Sequence, residues 1–545
     1  MERKADLVVG VFQLGSKTSH RSESGGLAKK FIPYEKYEGN VGEFHVSVPK
    51  EKRKFLDLYA IIRVTAVGKN GIGYGNIERV LGEVGNEIGE KEYLKQICVV
   101  NWMNNRKIAG DYLVDMHELQ RIDLGVRAYS IDPPGCVDID DALSVECSAA
   151  GFNVGIHIAD VSSYIMMGSP LDLEIKKRGE SVYLSAGQVN MIPDKLVSHY
   201  SLKEGEVKCV LSLMIKFDSE LRMQEAKFLH GKITVGKNLS YDSAQEIIDR
   251  KGDELLARMY ELGGKLFVKL EMGAQGKVYD VHTMVEVFMI LANSQAAKQV
   301  ALVDEKGVLL RCHKGAKRPV YKLDRDKNPD LVMRANNLMM LAAEYSLGIG
   351  EKTQHEGLNV DLYTHFTSPI RRYADIIVHR SVHRVITEEK ETALVPAETI
   401  VHLNEVHSRY AKCERRSHLI DKIFELQKSK GELFRLEGFI VGVSADRAKV
   451  FVREHDLTVD VVYFDKKIAD LVKVEIIDDG KISEVRISRE GREVRLELFQ
   501  KVCVEVIISM NLRGKMFCSM VKPHIMMLFD EYQHMIEQRE YDSDD

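Results

Sequence analysis

Apolar residues recur along this chain with two different periods, and the places where the period changes divide it into parts. Residues 7–13 (Leu-Val-Val-Gly-Val-Phe-Gln) read as a strand, and short apolar segments follow over Glu43–Val48, Leu58–Val64 and Arg79–Val84 between Gly- and Lys-rich connections. Short strands at this spacing predict a small β-barrel of oligonucleotide-binding (OB) type. Lys50, Lys52, Arg53 and Lys54 fall in one connection, where they either meet phosphates or form a solvated loop. The glycines here do not make a nucleotide loop. Ser16 stands where a lysine should follow Gly15, and Gly71, Gly73 and Gly75 miss the dinucleotide spacing, so both sets are assigned to strand ends and turns.

From about Arg121 the pattern is mixed. Gly151–Ala159 alternates like a strand, Lys208–Phe217 is a dense apolar run, and the polar turn between them holds Tyr183. Three- and four-residue spacing predicts helices over Ser243–Met272 and Met284–Val303, the second with Asn293 on its apolar face and Glu286 either aimed at a site or paired on the surface. A long polar helical region, about Ile400–Lys430, leads to a second strand-rich section. There Gly438–Val443, Ala448–Val452, Leu457–Phe464 and Val502–Ser509 predict another small barrel, and Glu531–Asp545 reads as a disordered acidic tail.

Composition adds bounds. At 545 residues and 45% hydrophobic the chain can bury several cores, and a prior of roughly 100 to 200 residues per domain predicts three or four units. The 77 basic and 82 acidic residues give a formal net charge of −5, so any nucleic-acid surface has to be local. Eight cysteines with no CxxC pair leave no zinc or redox motif and fit a reduced compartment. There is no signal-peptide core and no run near the roughly 18 apolar residues of a membrane span, which predicts an intracellular protein of cytoplasm or nucleus without membrane contact.

The densest chemistry lies in Ile131–Ser144. Asp132, Asp138, Asp140 and Asp141 fall within ten residues with no lysine or arginine between them, so a fold that gathers them must neutralise four repelling charges. Pro133-Pro134-Gly135 predicts a shaped turn, and hard oxygen donors suit Mg2+ or Mn2+. The stretch is either a metal-dependent phosphoryl-transfer site or an acidic solvated loop. In a second stretch, Leu362–Arg380, Ser368 before Pro369 predicts a helix start with Arg371 and Arg372 in the first turn, where two guanidiniums beside free backbone N–H groups would hold a phosphate. His379 and His383 have zinc-ligand spacing, but Arg380 replaces the glutamate of the metalloprotease motif, so a solvated or satisfied pair is expected.

Together these stretches resemble the RNase II/RNase R (RNB) family of 3′-to-5′ exoribonucleases, most closely its eukaryotic, exosome-type members. The resemblance runs from about Phe31 to the C-terminal barrel and rests on four segments in order: Ser130–Leu143, Val154–Ser162, Leu309–His313 and Tyr363–Arg380. It implies a multidomain chain: a cold-shock-like OB barrel over residues 1–120, an α/β catalytic RNB-type domain over 121–430, an S1-like OB barrel over 431–525 and a tail over 526–545. It also implies a processive, two-metal, Mg2+-dependent enzyme, with Mn2+ as a substitute, releasing nucleoside 5′-monophosphates from the 3′ end of single-stranded RNA in RNA degradation and processing. By position, Asp132, Asp138, Asp140 and Asp141 match the metal-site aspartates. Asp140 and Arg371 match the catalytic residues, and Tyr183 matches the tyrosine that packs on the terminal nucleotide. Arg371, Arg372, Arg311 and His313 are candidate RNA contacts, and Lys314, Lys317 and Arg318 either line the channel or face solvent.

Two departures bear on the channel: Glu286-Val287 stands where adjacent glutamates are usual, and His199-Tyr200-Ser201-Leu202 replaces a Leu-Cys-Ser-Leu run. About 120 residues precede the catalytic domain, whereas exosome-bound relatives carry a second barrel and a tethering endonuclease domain. A free-acting monomer is therefore expected at least as readily as an exosome-bound one. The competing expectation is a non-catalytic RNA-binding regulator, against which the intact aspartates argue, and a DNA nuclease ranks below both.

Overall fold

The computed structural model describes residues 7–37, 41–48, 56–68, 70–103, 108, 112–115, 120–148, 151–272, 278–314, 328–350, 353–389, 395–464, 470–478, 483–509, 515–522 and 528. Lys50, Lys52, Arg53, Lys54, Lys317, Arg318 and the tail from Glu531 lie outside the described residues.

The first sheet contains β1 (Leu7–Phe12), β2 (His20–Arg21), β3 (Leu27–Pro33), β4 (Phe44–Ser47), β5 (Leu58–Val67) and β6 (Gly73–Glu83) in the order β1-β5-β6-β4-β3-β2. Because β3 also pairs with β1, five strands form a ring and β2 hangs on its edge. Alternation along the strands turns Phe12, Phe31, Phe44 and Ile62 into one core. Gly71 turns with a φ of +76° and Gly73 opens β6, as the spacing suggested, while Gly75 lies inside the strand. A side chain at Gly73 would meet the Phe44 ring at 2.2 Å, so its absence lets the parallel pair β4 and β6 close over that ring. Asn86 caps α1 (Glu87–Val99), accepting from the Ile88 and Gly89 N–H groups.

In the central part come β7 (Ile122–Asp132), β8 (Asp141–Ser148), β9 (Gly151–Ala159), α2 (Pro170–Arg178), the short hairpin β10 (Val182–Leu184) and β11 (Gly187–Val189), α3 (Asp194–Tyr200), β12 (Val207–Asp218) and β13 (Met223–Ser240). The long strands close a barrel in the order β7-β8-β9-β12-β13, sealed by parallel pairing of β13 with β7. Helices α4 (Tyr241–Asp249), α5 (Glu254–Lys269) and α6 (Val281–Val303) cover it, followed by β14 (Leu309–Cys312), α7 (Pro329–Met339), β15 (Glu344–Leu347), α8 (Tyr373–Thr387) and the long α9 (Ala397–Lys430). The single helix predicted over 243–272 is two. Lys251 takes a φ of +53°, and Asp253 caps α5 by accepting from the Leu255 and Leu256 N–H groups, a local stop that hydrophobic periodicity does not register.

The last section holds β16 (Leu433–Val443), β17 (Arg447–Val452), β18 (Leu457–Val462), β19 (Lys473–Asp478), β20 (Ser483–Arg489), β21 (Arg492–Glu497), β22 (Lys501–Ser509) and β23 (Lys515–Lys522). A closed barrel runs β16-β17-β18-β23-β22, while β19 to β21 form a separate antiparallel sheet that the pattern did not anticipate. Counted along the chain without β2, the first barrel has the same 1-2-3-5-4 order and the same parallel contact between its third and fifth strands. Both are five-stranded Greek-key barrels.

One buried group ties the central barrel to pH. His157 on β9 is fully buried, its Nε2 bonded to Ser144 Oγ of β8 at 2.9 Å and its Nδ1 to Ser212 Oγ of β12 at 2.8 Å. Burial pushes its pKa down to about 3. The unfolded chain, with an ordinary value near 6.5, binds the proton first, so this contribution is complete above about pH 6.5 and is lost as pH falls towards 3, on the order of 1 kcal/mol per pH unit. Thermal melting of wild type and His157→Gln across pH 4 to 8 is expected to show the wild-type advantage shrinking on the acid side; parallel curves would remove the assignment.

Candidate active site

The four aspartates sit where β7 and β8 part. These strands share one paired position, Tyr129 with Leu143, and then splay, so Asp132 ends β7, Asp141 opens β8, and residues 133–140 bridge the gap. Gly135 turns this bridge with a φ of +78°. Backbone bonds pin it: Ala159 N–H donates to Asp140 O at 2.8 Å, Leu202 N–H to Ile139 O at 3.0 Å, and Ser201 Oγ to Val137 O at 2.6 Å. The carboxylates are thus held on main-chain scaffolding independent of their charge. Ser201 shows what the His199–Leu202 stretch does: it buttresses this loop.

Arg371 arrives from a segment that is held at three points. Ile370 N–H donates to Asp140 Oδ1 at 2.9 Å, Ser368 N–H to Asp375 Oδ1 at 2.7 Å, and Tyr373 N–H to Gly179 O at 2.8 Å. Arg371 Nε faces Asp140 Oδ2 at 3.4 Å, and its Nη2 donates to Ser368 Oγ at 2.8 Å, leaving the side chain 40% exposed. The helix start differs from the sequence expectation. It begins at Tyr373, Arg372 is its extended cap, and Ser368–Arg371 form a turn. The first helical N–H is already bonded to Gly179, so it is not a free phosphate donor. Ser368 and Asp375 hold the turn out of the helix through the bond that a proline-led helix would have lacked.

Tyr183 comes in on β10, which α9 fixes from behind. Ser185 N–H donates to Ser417 Oγ at 2.9 Å and Tyr183 N–H to Glu414 Oε1 at 3.3 Å. Ser181 N–H donates to Arg371 O at 2.9 Å, and Glu180 bridges Arg372, so the Tyr183 and Arg371 segments move as one unit. Tyr183 OH donates to Asp138 Oδ2 at 2.7 Å, joined by Gln188 Nε2 at 2.9 Å, while burial keeps the phenol protonated. Sequence reasoning missed Gln188 and Tyr241. The β13 register sets Ser240 opposite Asp132, which brings Tyr241 beside Asp132 and Asp141; burial and their charges push its hydroxyl up to about 12. No local motif marks either residue.

Not every predicted contact reaches the opening. Arg372 turns inward onto Asp375 at 2.8 Å, Arg311 is buried over the Tyr345 ring at 4.4 Å, and His313 is buried against His355 with its Nδ1 accepting from Gly357 N–H at 3.1 Å. Asn293 holds the segment leading to Arg371, donating to Tyr363 OH at 3.0 Å and accepting from Phe366 N–H at 2.8 Å. His379 and His383 go to separate partners: His379 Nε2 to Phe366 O at 2.7 Å, with its Nδ1 buried and accepting no hydrogen bond, and His383 Nε2 to Asp160 and Ser162 at 3.0 and 2.9 Å.

The electrostatics is one of unmet demand. Burial, with neighbouring carboxylates, pushes Asp132 up to about 6, Asp141 up to about 8 and Asp140 well above its ordinary value, with Arg371 opposing. Asp132 Oδ2 and Asp140 Oδ2 are buried and accept no hydrogen bond. Buried carboxylate oxygens that accept no hydrogen bond are the kind of donor a hard divalent cation takes, and Asp132, Asp138, Asp140 and Asp141 are the residues that could hold one. Because these folded-state values are raised, in the metal-free protein the contribution of these groups is complete below the ordinary carboxyl range and is lost as pH rises through about 6 and 8. Mg2+ is therefore expected to raise the melting temperature more at pH 8 than at pH 6, and Asp140→Asn to reduce the rise. A Mg2+ shift equal at both pH values would count against the cluster as the binding site.

Residues 121–388 match the family model described as RNB domain. Among curated relatives, the exosome complex exonuclease RRP44 of Mus musculus is 30% identical over 468 residues, covering 73% of this chain and 48% of the relative. The chain thus spans about half the length of that relative. Mycoplasma genitalium RNase R in complex with ribose-methylated single-stranded RNA has the same fold, with a TM-score of 0.73 at 18% identity, covering 96% of this chain and 90% of that one. Yeast Ssd1, described as a pseudonuclease, superposes with a TM-score of 0.69 at 18% identity, covering 89% and 68%. With its aspartate loop, its Arg371 segment and its central barrel all inside the matched residues, the chain belongs to the RNB-domain family.

Proposed function

We propose that this chain is a processive 3′-to-5′ exoribonuclease that hydrolyses single-stranded RNA to nucleoside 5′-monophosphates. The observation that carries the reading is a pair of buried carboxylate oxygens that accept no hydrogen bond, Asp132 Oδ2 and Asp140 Oδ2, the second ion-paired with the partly exposed Arg371. Bound by the four aspartates, Mg2+, or Mn2+ in its place, would supply Lewis-acid neutralisation of phosphate charge and an activated water near neutral pH. Arg371, oriented by Ser368, sets a fixed cation where the reacting phosphate gains charge. Tyr183 offers the terminal nucleotide a ring beside Asp138. Arg372, Arg311 and His313 act from behind, fixing the walls that carry Arg371. The barrel before residue 121 acts as a cold-shock-like module and the one over 431–525 as an S1-like module, both gripping RNA. The reading takes the protein as a monomer of cytoplasm or nucleus, acting freely or beside an exosome core. Among the described residues no helix is long and apolar enough to cross a membrane.

A second reading, an RNA-binding regulator without catalysis, is favoured by the fold shared with a pseudonuclease. A 3′-extended RNA incubated with wild type and Mg2+ is expected to release mononucleotides, and Asp140→Asn to bind the RNA but release none. Arg371→Ala is expected to slow turnover on the order of 100- to 1000-fold with affinity little changed. Affinity falling in step with turnover would sink the role given to Arg371. Wild type that binds RNA yet releases nothing with Mg2+ or Mn2+ would establish the regulator reading instead.

A further inference from the structure

Away from the aspartates, the outer face of the first barrel carries a second cluster of ligating side chains. Strand register puts it there. His20 of β2 lies opposite Ala28 of β3, and Ala28 lies opposite Ser47 of β4; two residues along, Lys30 lies opposite His45. Residues facing one another across a sheet share a face, and so do residues two apart, so Glu43, His45 and Ser47 point outward with His20 and Lys30 while Phe44 and Val46 fill the core. Ala28 is fully buried and small, and the two imidazoles lean together above it, with ring centroids 4.1 Å apart and planes inclined by 29°.

We infer that His20, Glu43 and His45 form a Zn2+ site on this barrel. Their donor atoms lie within 4.8 Å of one another, and His45 Nε2 is 3.2 Å from Glu43 Oε1. Two nitrogens and a carboxylate oxygen are the donor set of a three-ligand zinc site, and ligands at about 2.0 to 2.1 Å in tetrahedral array stand roughly 3.4 Å apart. The His45–Glu43 pair already meets that spacing, and the remaining closure, on the order of 1 Å, is within reach of side-chain rotation. Glu43 is prepared for the task. Its Oε2 pairs with Lys30, which leaves Oε1 turned to His45. Among the described residues the His20 side chain makes no hydrogen bond, so the Glu43–His45 bond alone does not account for its position. A cavity of about 220 Å3 adjoins His45 on one side, lined also by Ser22, Glu23, Ser24, Ser47 and Thr65. The cluster joins the edge strand β2 to β4 across β3, so the ion would fasten the open edge of the barrel.

Zinc content after dialysis of the full chain against Zn2+ tests the site. The Asp140→Asn background weakens the aspartate cluster, and comparison within that background cancels uptake by thiols. His20→Ala, His45→Ala and Glu43→Gln are each expected to lose about one equivalent of zinc, or to bind it at least roughly ten-fold more weakly, with unchanged melting of the zinc-free protein. Zinc is expected to raise the melting temperature of the parent but not of these variants. Co2+ added to the Asp140→Asn chain gives an answer that does not depend on folding of the ligand variants: a visible spectrum of four-coordinate Co2+ without thiolate charge-transfer bands, abolished by Zn2+, supports the site, and its absence overturns it. Equal zinc content in parent and variants also overturns it, leaving a hydrogen-bonded Glu43–His45 pair beside a stacked histidine.

Discussion

Four carboxylates brought together out of water repel one another, and the architecture of the central domain is arranged around that constraint. The charges are not offset by an equal number of cations, because Arg371 alone faces them and it is half exposed. They are held instead by covalent and main-chain means: two strand ends that diverge after one paired position, a glycine turn, and carbonyls of the same loop bonded to β9 and to the segment after α3. The raised carboxyl values and the two oxygens without partners measure how much demand is left over. A site that is rigid while its charge is uncompensated is preorganised for a cation and an anionic substrate.

The same economy governs the cationic side. Of the basic residues near the opening, Arg371 keeps its guanidinium available, while Arg372 and Arg311 are committed to Asp375 and Tyr345. That division makes mechanical sense. The buried ion pair of Arg372 with Asp375 fixes the turn from which Arg371 projects, and the Glu180 bridge ties that turn to the strand carrying Tyr183. Long-range partners therefore converge on two linked segments: Asn293 of α6 and Asp140 of the β7–β8 connection hold Phe366 and Ile370, while Ser417 and Glu414 of α9 hold Ser185 and Tyr183.

The two outer barrels repeat one strand order with unrelated surfaces. In the first, alternation leaves histidine, glutamate and lysine outward on β2 to β4. In the last, Leu433, Ile507 and Phe517 stand exposed in one cross-strand row. A shared topology with different outward residues assigns the barrels different surface chemistry, since the inward set is limited to apolar residues that fill the same small volume.

Much of this was legible along the chain. The alternating runs gave most strands of both outer barrels, though not β3 or β23, the aspartate spacing marked the loop, and the Leu362–Arg380 stretch marked the arginine segment, because period, charge density and turn chemistry are local properties. Local reasoning erred where a tertiary bond competes with a local preference. The helix over 243–272 broke at the cap formed by Asp253, and the helix expected at Pro369 started at Tyr373 because Asp375 and Gly179 bind the intervening backbone. The placement of Tyr241 and Gln188, the inward turn of Arg372, and the convergence of His20 on Glu43 and His45 depend on strand register and on partners far away in sequence. Which residues are candidates for the chemistry was written in the sequence; which of them meet, and which turn towards the aspartates, was decided by the tertiary structure, since register and long-range hydrogen bonds fix side-chain direction and no local pattern encodes them.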